Sequence, residues 1–545
     1  MRTLILCSLL LLAFGCQSAP QYDVVITGGT LIDGTGAAPR DADVAIKDGV
    51  IEEVGDLSGA NAALVIEADG RVVTPGFIDL MGGSSLPLLL DPVTADSKLY
   101  QGITTMMVGE GASLAPQSEQ TFGAWAPEVD GLNVTWERYS EYFQILESNG
   151  VALNVVHNVG AAQVRWIVLG PEDVAPTEEQ LTAMKELVAQ AMEDGAVGLS
   201  TALIYPPGTY ASTEEIIELA KPAAARGGVY FTHMRNESNQ LLEAIDEALS
   251  VGRGAGIPVH IYHLKAAGEE NWPLMEPALA KIQEAIDSGM EVTADIYPYI
   301  RNGIGLGSFL HPRHYVHGFE SFLATLSDDA VRARLREEVE QTSDWENWYR
   351  HVGMSWDNVL ISRVGESSDP ELVGLSIHEA GEKRGVDAWD AFFDLVQEGG
   401  CSVNPKSMNE EQKHLAMRAP FVAFANDSIP TNPATGPGAH PRAFGAFPRV
   451  LAKYVREENV IPLSEAIRKL TSLPATILRL EDRGRIEPGL QADVLVFDPD
   501  QIRDTATFTE PLSYSEGIDF ALVNGTLVIE DGETTGARPG HVLRH

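Results

Sequence analysis

The sequence predicts an α/β protein built on a (β/α)₈ barrel, with one small β domain made from both chain ends. Three observations carry this. The middle of the chain repeats strand then helix. Polar residues gather at the ends of those strands. Short, turn-punctuated strands crowd both termini.

The central repeats come first. Thr177-x-x-Gln180 reads as a capping box, and Leu181, Met184, Leu187, Val188 and Ala191 then recur at helical spacing. Val197–Thr201 is the strand that follows. Ser212-x-x-Glu215 opens the next helix, Gly227-Gly228 stops it, and Val229–His233 is a strand. A helix near Gln240–Val251 leads to Val259–His263, and one near Glu276–Ser288 leads to Glu291–Tyr297. Ser200, His233, His263, Asp295 and Tyr297 each fall at or just past the C-terminal end of a strand, the active face of such a barrel. A doubly wound sheet would also gather polar groups there. The absence of a glycine-rich phosphate fingerprint after an early strand favours the barrel.

The ends have another texture. Asp23–Ile26, Thr30–Ile32, Val44–Ile46 and Val50-Ile51 are separated by Gly28-Gly29, Asp33-Gly34 and Asp48-Gly49; Asp493–Phe497, Ala521–Val523 and Thr526–Ile529 with Asp531-Gly532 match them. From about 304 to 420 the rhythm breaks. Tyr315, Trp345, Trp348, Tyr349 and Trp356 stand among dense charge, which suggests an insertion over the barrel mouth, although Val359–Ser362 could be a barrel strand.

Met1-Arg2-Thr3 followed by the apolar run Leu4–Gly15 reads as an export signal, shorter than the about 20 residues a membrane span needs. Ala13-Phe-Gly-Cys16 resembles a bacterial lipobox. That resemblance implies lipidation at Cys16, a signal peptide over 1–16, and a periplasmic or cell-surface lipoprotein held to the membrane only by that anchor; an ordinary cleaved signal is the alternative. Beyond Cys7 and Cys16 only Cys401 remains, so the mature chain forms no internal disulfide; Cys401 reads as a small buried or loop residue. A formal net charge of −40 argues against nucleic acid as partner.

His233 and His263 end strands of adjacent βα units, so they can converge on one metal. Asp427, just past the strand Phe421–Ala425, is placed to move a proton beside it. Pro75-Gly-Phe-Ile-Asp79 resembles the end of the first barrel strand in the amidohydrolase superfamily. With Gln101–Thr105, Gly198–Thr201, Thr232–Glu237, Tyr262–Lys265, Asp295–Tyr299, His440–Arg449, Thr471–Ala475, Asp482–Ile486 and Gly536–Gly540, the chain resembles the D-aminoacylase (N-acyl-D-amino-acid deacylase) branch over nearly all of 22–545.

The resemblance implies a barrel over 76–479 carrying the insertion, and a small β-sandwich from 17–75 and 480–545. It implies a tightly bound zinc ligated by His233 and His263, with Asp427 as catalytic acid/base. Lys265, Tyr297 and Arg442 fall where the family holds substrate and its carboxylate. Arg235 is a further candidate there, with a structural ion pair as the alternative.

Two departures stand out. Met81 and Gly83 replace the family's His-x-His pair, which argues against a second metal. Val108-Gly-Glu110 replaces the segment whose cysteine ligates the tight zinc. Glu110 can align with that cysteine, giving one zinc held by His233, His263 and Glu110; the alternative is a loop or supporting carboxylate. The reading is a metal-dependent amidase that removes the acyl group from N-acyl-D-amino acids, or cleaves short peptides ending in a D-residue. Its substrate is a small molecule with a free carboxylate. A dihydropyrimidinase-like amidase and a metal-free binding lipoprotein are the competing readings. Oligomeric state is not legible.

Overall fold

The computed structural model describes residues 20–121, 135–316, 318–342, 344–435 and 440–545. The proposed signal and Cys16 lie outside them.

Eight parallel strands form the barrel: β1 (Phe77–Asp79), β2 (Ile103–Val108), β3 (Asn154–His157), β4 (Gly198–Ala202), β5 (Val229–His233), β6 (Val259–Ile261), β7 (Val292–Ile296) and β8 (Val422–Phe424). β1, β2 and β3 pair in order; Val159-Gly160, just past β3, continues to β4, and pairing then runs through β8. The ring closes just beyond β8, where Ser428 N–H donates to the Met81 carbonyl at 3.2 Å. Amphipathic helices cover the outside. Glu178–Asp194 starts at the Thr177/Gln180 box and ends at left-handed Gly195. Ser212 caps Thr213–Ala224, but the Glu215 carboxylate turns away to bind buried Arg165.

Both chain ends build the small β region. A seven-stranded sheet joins Thr30–Leu31, Arg40–Asp41 and Val72–Pro75 to Val494–Phe497, Ile518–Val523, Thr526–Glu530 and Glu533–Thr534. A four-stranded sheet from Tyr22–Glu67 packs on it through Val24, Ile26, Val44, Val494, Val496 and Leu522. Asp48-Gly49 and Asp531-Gly532 make the expected tight hairpins, both residues of each at positive φ.

The insertion has its own core. Trp348, Tyr349, Trp356, Trp389 and Phe392 cluster over a small sheet. Val359–Arg363 is the one correction to the strand reading: it pairs antiparallel with Ser402–Pro405 in the insertion rather than joining the barrel. Cys401 is buried in the same cluster, and burial pushes its thiol up to about 12.

Candidate metal centre and active site

His233 is the last residue of β5, and His263 lies two residues past β6. Their rings meet edge to face at 4.3 Å between centroids. Glu110, two residues past β2, completes the group: its Oε1 is 2.8 Å from His233 Nδ1 and 3.3 Å from His263 Nε2. One ligand atom from each of the three lies within 4.8 Å of the others.

Backbone geometry at each position is specific. Glu110 sits between Gly109 (φ +103°) and Gly111 (φ +64°). A Cβ on Gly111 would stand 2.5 Å from Ala202 Cβ, so the close approach to β4 requires glycine. Ser200 of β4 fixes the turn from both sides, donating to the Gly109 carbonyl and accepting from Gly111 N–H at 3.0 Å. His263 is left-handed at φ +35°, an unfavourable conformation for a non-glycine residue. Asp295 holds it there, accepting from the His263 N–H at 2.7 Å while its other oxygen meets His260 Nε2 at 2.8 Å.

Glu237 stands behind both imidazoles and is buried. Its Oε1 is 2.9 Å from His263 Nδ1, and its Oε2 is 3.6 Å from His233 Nε2. A carboxylate there orients the rings and leaves their other nitrogens, which face Glu110, to bind a metal. His233 Nε2 and Glu237 Oε2 are both buried without a hydrogen-bond partner, so a small movement unites them. Burial and Lys265 press His263 downward in pKa, but Glu237 and Glu110 overcome both and hold it up at about 9. Burial would raise Glu110; hydrogen bonds from the two imidazoles reverse this and hold it well below the usual carboxylate range.

Asp427 lies three residues past β8, also left-handed at φ +54°. Its turn is gripped by buried Lys98, whose amine donates to Asp79 at 3.0 Å, to Asn426 Oδ1 at 2.7 Å and to the Ser428 carbonyl at 2.6 Å. Asp427 Oδ2 is paired with Arg442 Nη1 at 2.6 Å. Burial raises the Asp427 carboxyl, against the opposing pull of Arg442.

Glu110, His233, His263, Lys265, Tyr297, Asp427 and Arg442 all line one cavity of about 430 Å³. Arg442 lies over the Tyr297 ring at 4.7 Å. The Lys265 amine is largely engaged inside the protein, 2.6 Å from Glu237 Oε1 and 2.8 Å from His263 Nδ1. Arg235 is set apart: its guanidinium donates to Glu247 and to the Thr209 and Ala211 carbonyls, the structural ion pair that was its alternative. Sequence reasoning passed over Glu237 and Lys98. Glu237 was visible as a carboxylate four residues after His233; Lys98 carried no local signal, since its partners lie on β1 and beyond β8.

On the β1 side the places of the His-x-His pair carry no imidazole. Met81 is buried, and a Cβ on Gly83 (φ +70°) would stand 2.7 Å from Ile429 Cγ2. Between this segment and Glu110 lies a space of about 10 Å³, walled by Leu80, Met81, Met107, Val108 and Tyr262, with Glu110 and Asp427 also on its lining.

Comparisons with known proteins identify the family. Residues 414–529 match the amidohydrolase family Amidohydro_3. The chain is 33% identical over 530 residues to D-aminoacylase of Alcaligenes xylosoxydans xylosoxydans, covering 97% of this chain and 99% of the relative. It is similar to the crystal structure of N-acyl-D-glutamate deacylase from Bordetella bronchiseptica, complexed with zinc and a phosphonate mimic of the tetrahedral intermediate. That likeness has a TM-score of 0.81 and 33% identity, over 96% of this chain and all of that one. A D-aminoacylase structure described by its binuclear centre, with one-metal activation and second-metal attenuation, matches at TM-score 0.80 and 32% identity, over 96% and 100%. The chain belongs to the D-aminoacylase family of amidohydrolases.

Proposed function

We propose that this enzyme hydrolyses the amide of N-acyl-D-amino acids using a single metal ion, zinc by preference, held by Glu110, His233 and His263. The observation that carries it is the convergence of these three side chains with the Asp427–Arg442 pair in one cavity. The donor set suits the metal: two imidazoles and a carboxylate leave a fourth position for water or substrate. The unpartnered His233 Nε2 and Glu237 Oε2 fit a site that tightens when the near nitrogens are drawn to an ion. A metal bound there polarises the acyl carbonyl and lowers the pKa of adjacent water.

The chain's own residues do the rest. Asp427 accepts the proton of the attacking water as its oxygen bonds to the acyl carbon. It then delivers that proton to the amide nitrogen as the C–N bond breaks. Its raised pKa suits both halves of this task. Arg442 offers a guanidinium fork to the substrate carboxylate, with the Tyr297 ring beneath it. Lys265 acts chiefly by fixing Glu237 and His263. One metal rather than two is supported by Met81 and Gly83, which bring no imidazole to the places of the family's His-x-His pair.

The division into a barrel over 76–479 and a β-sandwich from 17–75 with 480–545 belongs to the same proposal, as does export with a lipid on Cys16. No helix among the described residues is long and apolar enough to cross a membrane. Incorporation of labelled fatty acid into the full chain, lost in Cys16→Ser, tests the anchor.

The first test is metal content and amine release on paired N-acyl-D- and N-acyl-L-amino acids. One equivalent of tightly held metal with D-selective turnover is the expected result. Two equivalents would refute the single-ion site, and no turnover of any D-substrate by the metal-loaded protein would refute the deacylase.

A further inference from the structure

A second, larger cavity of about 860 Å³ adjoins the metal cavity and has no part in the reaction described above. The two meet at Tyr205, Gly305, Trp348, Arg363 and Ser402, which line both. Beyond the junction the apolar walls are Ile204, Leu306, Leu310, Trp345, Leu395 and Val396; Asp173 and Asp344 share the lining, as does Glu346, which is engaged with the Glu237 N–H and His351. Two of the cations there are already engaged, Arg235 with Glu247 and Arg313 with Glu338.

The order of groups along the substrate assigns an occupant. In an N-acyl amino acid the carboxylate and the acyl carbons leave the scissile amide in opposite directions. Arg442, the carboxylate anchor, and Asp427 line the metal cavity and not the larger one. Tyr205 bridges toward the larger one, its ring 5.5 Å from that of His233. With the carboxylate at Arg442 and the carbonyl beside His233, the acyl carbons run past Tyr205 and Trp348.

We propose that the larger cavity holds an extended apolar acyl chain, so that the preferred substrates are N-acyl-D-amino acids with acyl chains of medium to long length rather than acetyl. This rests on the deacylase reading. Each methylene buried is worth up to about fourfold in binding, so kcat/KM should climb by at least about tenfold from acetyl to decanoyl even if the chain is only partly buried.

Gly305 gives a clean plug. Its backbone is extended, φ −68° and ψ 138°, and a Cβ there meets nothing within 4 Å. Gly305→Trp would fill the junction without forcing the backbone. Two measurements are paired: kcat/KM of the metal-loaded enzyme across N-acetyl-, N-hexanoyl- and N-decanoyl-D-leucine, and fluorescence titration of the metal-free protein with the same ligands. A chain-length rise whose decanoyl-to-acetyl ratio collapses in Gly305→Trp supports the assignment. A flat series, or a ratio that Gly305→Trp leaves intact, overturns it. If no substrate turns over but decanoyl still binds more tightly than acetyl, and Gly305→Trp removes that difference, the deacylase reading fails and the acyl cavity stands. No chain-length preference in binding, with no turnover, overturns both.

Discussion

The two sides of the metal cavity contrast sharply. On the β2, β5 and β6 side each donor has support: Glu110 from its glycine turn and Ser200, His263 from Asp295 and Glu237, and His233 from Glu237 at 3.6 Å. On the β1 side the places of the family's histidines hold a buried methionine and a glycine packed against Ile429. A site merely decaying would lose its supports as readily as its ligands. Here the supports persist around one set of ligands, while Met81 and Gly83 bring no imidazole to the other position. The contrast supports the proposed one-ion site.

The largest effect should come from Asp427, the proposed proton carrier, which both sides share through Lys98, Asp79 and Asn426. Asp427→Asn is expected to lower kcat by about 10²–10⁴-fold with metal content unchanged, as read by steady-state kinetics beside elemental analysis. Because burial raises the Asp427 carboxyl, activity should fall on the acid side above the ordinary aspartate range, and it should rise as pH increases and the base ionises. An acid limb at or below about 4 would contradict that placement.

Next is a test of the β1 side. Met81→His combined with Gly83→His restores the motif but not the space, since Gly83 is at φ +70° and its Cβ faces Ile429. Metal stoichiometry should stay at one. A second tightly held equivalent would show that the closure is weaker than the geometry indicates. On the other side, Glu237→Gln should weaken metal affinity by about 10–100-fold, measured by competition with a chelator. An equal loss in Ser85→Ala, whose hydroxyl bonds Tyr142 and His157 rather than the ligands, would point to general loosening instead.

The architecture was largely legible because its signals are local and periodic. Capping at Thr177, the Asp-Gly hairpins and the strand-end polar residues each depend on a few neighbours in sequence. His233, His263 and Asp427 were legible for the same reason. What escaped depends on distant partners. Lys98 is defined by Asp79, Asn426 and Ser428, the last two more than 300 positions away. Val359–Arg363 has the composition of any buried strand, and only its pairing with Ser402–Pro405 places it in the insertion. Arg235 stood open between a site cation and a structural ion pair because nothing in its own segment predicts Glu247 or the two carbonyls that absorb it.

The smallest effect lies outside the cavity lining, at His157, the last residue of β3. It is packed among Tyr139, Tyr142 and Phe143, with Nε2 at 3.0 Å from Ser85 Oγ and Nδ1 unpartnered. Burial lowers its pKa from 6.5 to about 3. Below pH 6.5 the unfolded chain therefore takes up a proton that the folded chain refuses. Stability from this group is intact above that pH and is lost steadily as pH falls toward 3, by about 1.4 kcal/mol per unit. His157→Phe keeps an aromatic ring and removes the titration. The variant starts lower, having lost the bond to Ser85, but its melting temperature should fall less than that of the native chain between pH 6.5 and 5.5. Parallel slopes would mean that His157 is protonated in the fold, and would reassign the polar atom at the end of β3 from packing to charge.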